Sequence, residues 1–257
     1  MVTNLCHQPV QNAPTGKARK LSVLFEELDY RPTAIGALSL RRRKDLSSGE
    51  DIYEIILGDA YLMSSRFTVA EEELSRLGLA ATTGTNLDVA VGGLGLGYTA
   101  KAALENGKVG SLHVIEALDA VIDWHRDGLL PVGRELTADN RCSFQHGDFF
   151  ELAESATGLD LSRPNRKFHA ILVDIDHSPT NVLDPKNLAF YQPDGLQKLA
   201  AHLLPDGVFA LWSNDPPDAA FKTSLKTAFS EVESHVIPFR SPLNDVEETN
   251  TLYVARL

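Results

Sequence analysis

The stretch Val89-Ala-Val-Gly92-Gly93-Leu-Gly95-Leu-Gly97-Tyr98-Thr99-Ala100 decides how the rest of the chain is read. A short apolar run passes into a glycine-rich segment and then into helix-forming residues, which spells strand, tight loop, helix. Glycine lets a backbone bend sharply and lets a ligand approach it, and the helix that follows offers unpaired N–H groups and partial positive charge. A nucleotide-type ligand over Gly92, Gly93, Gly95 and Gly97 is therefore expected. Working outward, apolar runs alternate with amphipathic stretches: LDVAV, YTAKAALENG, SLHVIE, LDAVIDWHRDGLL, CSFQHGD, FHAILVD. Continuous apolar strands separated by helices signal a parallel sheet covered on both faces. LQKLAAHL, GVFALWS and DAAFKTSLKTAF continue the alternation, and the chain closes on two strands, VESHVIPF and NTLYVARL. Only a loop, RSPLNDVEET, joins that last pair, so one of them runs antiparallel to its neighbour, because a parallel pair needs a long crossover. The expected fold is α/β: a Rossmann-like, mostly parallel seven-stranded sheet with an antiparallel last strand.

Ahead of this core, Ile35 to Arg43 and Asp51 to Ser65 are β-rich, with Gly58-Asp59 as a tight turn between apolar runs. They predict a small antiparallel β unit over residues 31–66, following a flexible tail over residues 1–30 that has little to bury. Arg41, Arg42, Arg43 and Lys44 alternate between the faces of a strand and read as a solvated edge. Thr68, with Glu71 three positions on, has the form of a capping box opening the helix FTVAEEELSRLGLA. The ligand-binding core then runs over residues 67–257.

With 43% apolar and 23% charged residues the chain has ordinary globular usage, which excludes collagen-like and mostly disordered classes. The net charge of −11 argues against nucleic acid, which wants a basic face, and favours a cationic or neutral small substrate. No apolar run reaches the roughly 20 residues of a membrane span, and the start carries no apolar stretch ahead of a small-residue cleavage site. Two cysteines, Cys6 and Cys142, are too few for a disulfide framework and lack zinc-site spacing, so a cytoplasmic protein is expected.

Each strand end then offers a polar group. Glu116 closes the second strand, where a carboxylate can accept hydrogen bonds from ribose hydroxyls. Asp148 follows the third and suits either an adenine amino group or the N-cap of FFELAE. Asp174, Asp176 and His177 follow the fourth, at the rim where the reacting end of a ligand should lie. Asp174 is placed best to orient or deprotonate a nucleophile, with Asp176 and His177 as secondary candidates. Three near neighbours at a strand end seldom converge on one ion, so no metal is expected.

Taken together, the glycine loop, Glu116, Asp148 and Asp174 look like the S-adenosylmethionine-dependent transferase fold. Within it, residues 35 to 257 resemble the polyamine aminopropyltransferases, the spermidine synthase family. VGGLGLG stands for its GGGDGG-type loop, VIEALDAVIDWHR for its VEID-type stretch, HGDFF for its GDG-type stretch and ILVDIDHSP for its D-x-x-D-P segment. The resemblance implies that Gly93 to Gly97 hold the methionine-derived part of the donor, Glu116 the ribose and Asp148 the adenine. It makes Asp174 the catalytic carboxylate. It further implies S-adenosylmethionine or its decarboxylated form as donor substrate, a small amine or other nucleophile as acceptor, and a homodimer through the β unit. Two departures keep other readings open. Gly95 stands where the family has an aspartate contacting the donor's amino end, and Asp176 follows Asp174 by two residues instead of three. Methyl transfer from S-adenosylmethionine is the first alternative. Gly95-Leu-Gly97-Tyr-Thr-Ala100 also satisfies G-x-G-x-x-A, leaving an NAD-dependent oxidoreductase, and a non-catalytic nucleoside-binding protein is the last.

Overall fold

The alternation of apolar and amphipathic stretches closes into two sheets in a computed structural model, which describes residues 24–33, 36–240 and 246–257. The N-terminal sheet holds β1 (Phe25–Thr33), β2 (Gly36–Lys44), β3 (Asp51–Leu57) and β4 (Ala60–Ser64) in that order, all antiparallel. Gly58 makes the β3–β4 turn at φ 58°, as the sequence predicts. Two expectations change here. The segment from Phe25 is strand and not tail; residues 1–23 and Ile35 lie outside the described residues. The arginines also sit on an inner strand. Register brings Arg42 opposite Glu26 and Arg41 opposite Glu27 on one side and Glu54 on the other. The ion pairs are Arg42–Glu26 at 2.5 Å, Arg43–Glu54 at 2.7 Å and Lys44–Asp51 at 3.1 Å. Opposite charges on facing strands stabilise the pairing, so the cluster is an internal ladder.

Helix α1 (Val69–Ala80) leads from this sheet to the core. Its expected capping box does not form: the Thr68 hydroxyl donates to Glu72 Oε1 at 3.1 Å, and Glu71 turns away toward a cavity.

The core sheet contains β5 (Leu87–Gly92), β6 (Val109–Glu116), β7 (Cys142–His146), β8 (Phe168–Val173), β9 (Leu203–Ser213), β10 (Glu231–Arg240) and β11 (Glu247–Arg256). Their order is β10-β11-β9-β8-β5-β6-β7, and β11 runs antiparallel to both of its neighbours. Alternate residues serve opposite faces. Val89, Val91 and Leu172 pack with Leu74, Trp124 and the N-terminal Leu38, Leu40 and Ile55, whereas Ala90, Ile171 and Val173 meet an aromatic cluster that includes Phe149, Phe190 and Phe209. Connecting helices α2 (Tyr98–Glu105), α3 (Asp119–Arg126), α4 (Gly133–Ala138), α5 (Phe149–Glu154), α6 (Pro193–Ala200) and α7 (Ala219–Leu225) cover those faces. Trp124 Nε1 donates to Asp29 at 2.6 Å and Arg31 to Asp123 at 2.8 Å, fastening β1 onto α3. No described helix is long and apolar enough to cross a membrane.

The chain runs outward from β5 to β6 and β7 and then returns to β8 on the other side. Open sheets bind ligands at such a reversal, beyond the carboxyl ends of the strands. Here that point lies between Gly92 and Val173, which are paired partners.

Candidate functional site

The loop after β5 must pass close to the end of β8. The Asp174 amide donates to the Gly92 carbonyl at 2.9 Å, and Gly93 follows at φ 92°. A Cβ on Gly93 would collide with the Asp174 carbonyl oxygen and stand 3.1 Å from Ile175 Cγ1, so only glycine fits. At Gly95 a Cβ would meet Met63 Cε at 2.5 Å and Sδ at 2.6 Å. Met63, from β4, lies over the loop and its thioether accepts from the Leu96 N–H at 3.2 Å. Gly92 packs against the Phe149 ring, and Gly97 makes the turn into α2.

Two buried groups hold this loop. Glu116 accepts from Leu94 N at 2.9 Å and from Leu118 N at 2.8 Å, and burial raises its pKa. His125, 0% exposed, bonds the Gly95 carbonyl through Nε2 at 2.8 Å. A carbonyl can only accept, so Nε2 carries the proton. Burial drives the imidazole pKa down to about 4, keeping the ring neutral.

Two cavities of similar size meet at Asp174, and the loop lines the first of them. The first, about 460 Å³, is lined by Gly93, Gly95, Glu116, Asp148, Phe149 and Phe150 among others. Its volume falls in the range of small-ligand pockets, and its apolar and aromatic walls with a few carboxylates suit a nucleoside. Asp148 does what its second reading predicts. One oxygen caps α5 by accepting from Phe150 N at 2.9 Å and Glu151 N at 3.2 Å, while the other pairs with Lys186 Nζ at 2.9 Å. The second cavity, about 480 Å³, has an aromatic lining of Tyr61, Phe67, Trp212 and Phe239, together with Glu71 and His177.

Asp174 lines both cavities, as does Met63. Its Oδ2 accepts from Thr99 Oγ1 at 2.9 Å; burial raises its pKa, and that hydrogen bond opposes the rise. Glu71, from the first turn of α1, shares the second cavity with it. Its pKa is raised by burial first and by the nearby Asp174 charge second. Two carboxylates so close cannot both ionise easily, so the pair retains a proton above the ordinary carboxylate range.

The three candidates after β8 separate. Asp174 faces both cavities and His177 the second, but Asp176, 2% exposed, lines neither. The chain turns after Val173, and Asp176 accepts from Leu183 N at 2.7 Å, Asn187 Nδ2 at 3.1 Å and Tyr191 OH at 2.9 Å. It anchors the following loop and has no access to a reacting group. Among the described residues no set of His, Cys, Asp and Glu is placed to hold a metal ion. Sequence reasoning missed Glu71, Met63, Thr99, His125 and Lys186, each of which acts on a residue distant in the chain.

The sequence matches no protein-family model and no curated protein. Its structure is similar to those of solved enzymes. A spermidine synthase in complex with the transition state analogue AdoDATO aligns with a TM-score of 0.68 at 17% identity, over 90% of this chain and 73% of that one. Spermidine synthase from Thermotoga maritima aligns with a TM-score of 0.66 at 16% identity, over 90% and 72%. Human methyltransferase-like protein 13 in complex with SAH gives 0.48 at 19% identity, over 74% and 78%. A small antiparallel sheet set before a Rossmann-like core, matched over nine-tenths of the chain, gives this protein the spermidine synthase fold.

Proposed function

We propose that the protein is a spermidine-synthase-like alkyl transferase, moving an aminopropyl group from decarboxylated S-adenosylmethionine to an amine. The observation that carries this reading is Asp174, a carboxylate common to two ligand-sized cavities that meet beside the glycine loop. A group transfer needs that arrangement: a donor on one side, an acceptor on the other and a proton acceptor between them. In this reading Gly93 to Gly97 hold the methionine-derived chain, Glu116 lies at the ribose, and the base meets Asp148 with its Lys186 partner.

The chemistry asks little of the protein. An alkyl amine with an ordinary pKa of about 10.4 is neutral in only about one molecule in 2,500 at pH 7. Asp174 takes a proton from the arriving ammonium. The freed nitrogen lone pair forms a bond to the chain carbon next to sulfur, that carbon–sulfur bond breaks, and its electron pair returns to sulfur as a neutral thioether. A carboxylate with a raised pKa is the stronger base, so the buried setting of Asp174 serves the step.

Methyl transfer from S-adenosylmethionine is the second reading, favoured by one observation: Gly95 leaves the loop without a carboxylate for a donor's amino end. Titration calorimetry with S-adenosylmethionine, its decarboxylated form and NAD, followed by mass spectrometry after addition of a diamine, tests both. An aminopropylated diamine is expected. Binding of NAD alone would overturn the transferase reading, and nucleoside binding without product from any amine would leave a binding protein.

A further inference from the structure

Between the two large cavities lies a small one of about 20 Å³, bounded by the glycine loop on one side and by Met63, Ser64, Glu71 and Asp174 on the other. A space of that size holds roughly one water-sized group. Glu71 reaches it from α1 and, among the described residues, shares no hydrogen bond or ion pair with another side chain. Its charged neighbours, Asp174 and Glu72, have the same sign as itself. A largely buried carboxylate facing a second carboxylate is costly unless a cation completes it.

We infer that Glu71 binds the terminal ammonium of the donor's chain, supplying from α1 the acid that the glycine loop lacks at Gly95. A primary ammonium fits the space, offers three donors to a site rich in acceptors, and neutralises the pair. The α-carboxylate of intact S-adenosylmethionine is larger and would face Glu71 and Asp174 with like charge. The substrate class selected is therefore a sulfonium nucleoside whose chain ends in an amine without a carboxylate. The inference rests on the nucleoside reading of the larger cavity and deepens it.

Calorimetry on the full chain separates the two claims, using 5′-methylthioadenosine, decarboxylated S-adenosylmethionine and S-adenosylmethionine with the wild type, Glu71→Gln and Glu71→Asp. The wild type is expected to favour the decarboxylated donor over S-adenosylmethionine. Glu71→Gln should weaken the decarboxylated donor by about 10- to 100-fold, the value of one charge-assisted hydrogen bond. It should leave methylthioadenosine, which has no amino chain, within twofold, and Glu71→Asp should fall between. If the wild type binds methylthioadenosine but Glu71→Gln weakens the decarboxylated donor no more than methylthioadenosine, the Glu71 assignment is overturned and the nucleoside site stands. If the wild type binds none of the three nucleosides, the nucleoside site itself is lost. Thermal melting of both variants shows whether a general loss of binding is a loss of fold, in which case Glu71→Asp decides.

Discussion

Replacing Gly93 by alanine tests the close approach of β5 and β8, on which the whole site depends. Two costs add. At φ 92° an L side chain is strained by about 1–2 kcal/mol, partly offset by about 0.4–1 kcal/mol from the stiffer unfolded chain. The new Cβ also collides with the Asp174 carbonyl oxygen, a backbone atom fixed by the Asp174 N–Gly92 O hydrogen bond and unable to swing aside. Overpacking of this kind adds about 1–3 kcal/mol, giving about 2–4 kcal/mol in all. Gly84 supplies the control: its φ is 88°, and a Cβ there meets nothing within 4 Å. Gly84→Ala should cost about 1 kcal/mol or less, the backbone contribution alone. Urea unfolding of the two variants gives the difference directly. Turnover of Gly93→Ala should fall further than its stability suggests, since relief of the collision moves Asp174. Equal destabilisation by the two substitutions would refute the argument, because the contact with β8 would then contribute nothing.

Further outcomes follow from the same geometry. Asp174→Asn should spare nucleoside binding while lowering turnover by about 10²- to 10⁴-fold, the usual worth of a general base; unchanged turnover would remove Asp174 from the chemistry. Because the Asp174 and Glu71 pKa values are both raised and a base works deprotonated, the rate should climb with pH through a midpoint above the ordinary carboxylate range near 4. A midpoint at 4 in the pH–rate profile would contradict the buried pair. His125 is held neutral, its folded pKa of about 4 lying below the ordinary 6.5. Its contribution is thus complete above pH 6.5 and is lost as pH falls toward 4, by about 3 kcal/mol at 1.36 kcal/mol per unit. Urea titrations at pH 7 and 4 should show a smaller drop in His125→Gln; the same drop would contradict burial of the neutral ring. Asp176→Ala strands Leu183 N, Asn187 and Tyr191 OH, and should cost about 2–4 kcal/mol by thermal melting. Little change would mean that the loop does not depend on this carboxylate.

The core was legible because its signal is local and repeated. Each strand from LDVAV to NTLYVARL is an apolar run, and the glycines punctuate the one turn that must be tight. β1 was not, since FEELDYRPT carries acids and an arginine whose partners, Arg42, Trp124 and Asp123, lie elsewhere in the chain. The same logic misplaced the arginine cluster: a run of like charge looks solvated until strands bearing acids flank it. Glu71 was read as a cap because a capping box is a local pattern, whereas its position is fixed by the contact of α1 with the end of β8. Asp176 failed in the opposite way. On an extended strand it would share a face with Asp174, but the chain turns after Val173 and delivers it to Tyr191.

These exchanges alter what the acidic character of the chain means for the site. The sequence sets Asp148, Asp174 and Asp176 at strand ends of a chain whose net charge of −11 favours a cationic or neutral substrate. In the fold Asp148 is matched by Lys186, and Asp176 is enclosed by neutral donors, so neither leaves charge for a ligand. Glu71 and Asp174 differ from these two in having no paired cation among the described residues. In the second cavity Arg66 is likewise satisfied, by Asp45 at 2.9 Å. With Glu71 given to the donor's ammonium, an amine entering in the proposed reading between Tyr61, Phe67, Trp212 and Phe239 would meet aromatic faces that favour a cation and then Asp174. In that reading a cationic acceptor would be selected by these local groups, and the net charge of −11 could be neutralised at the exposed surface without altering them.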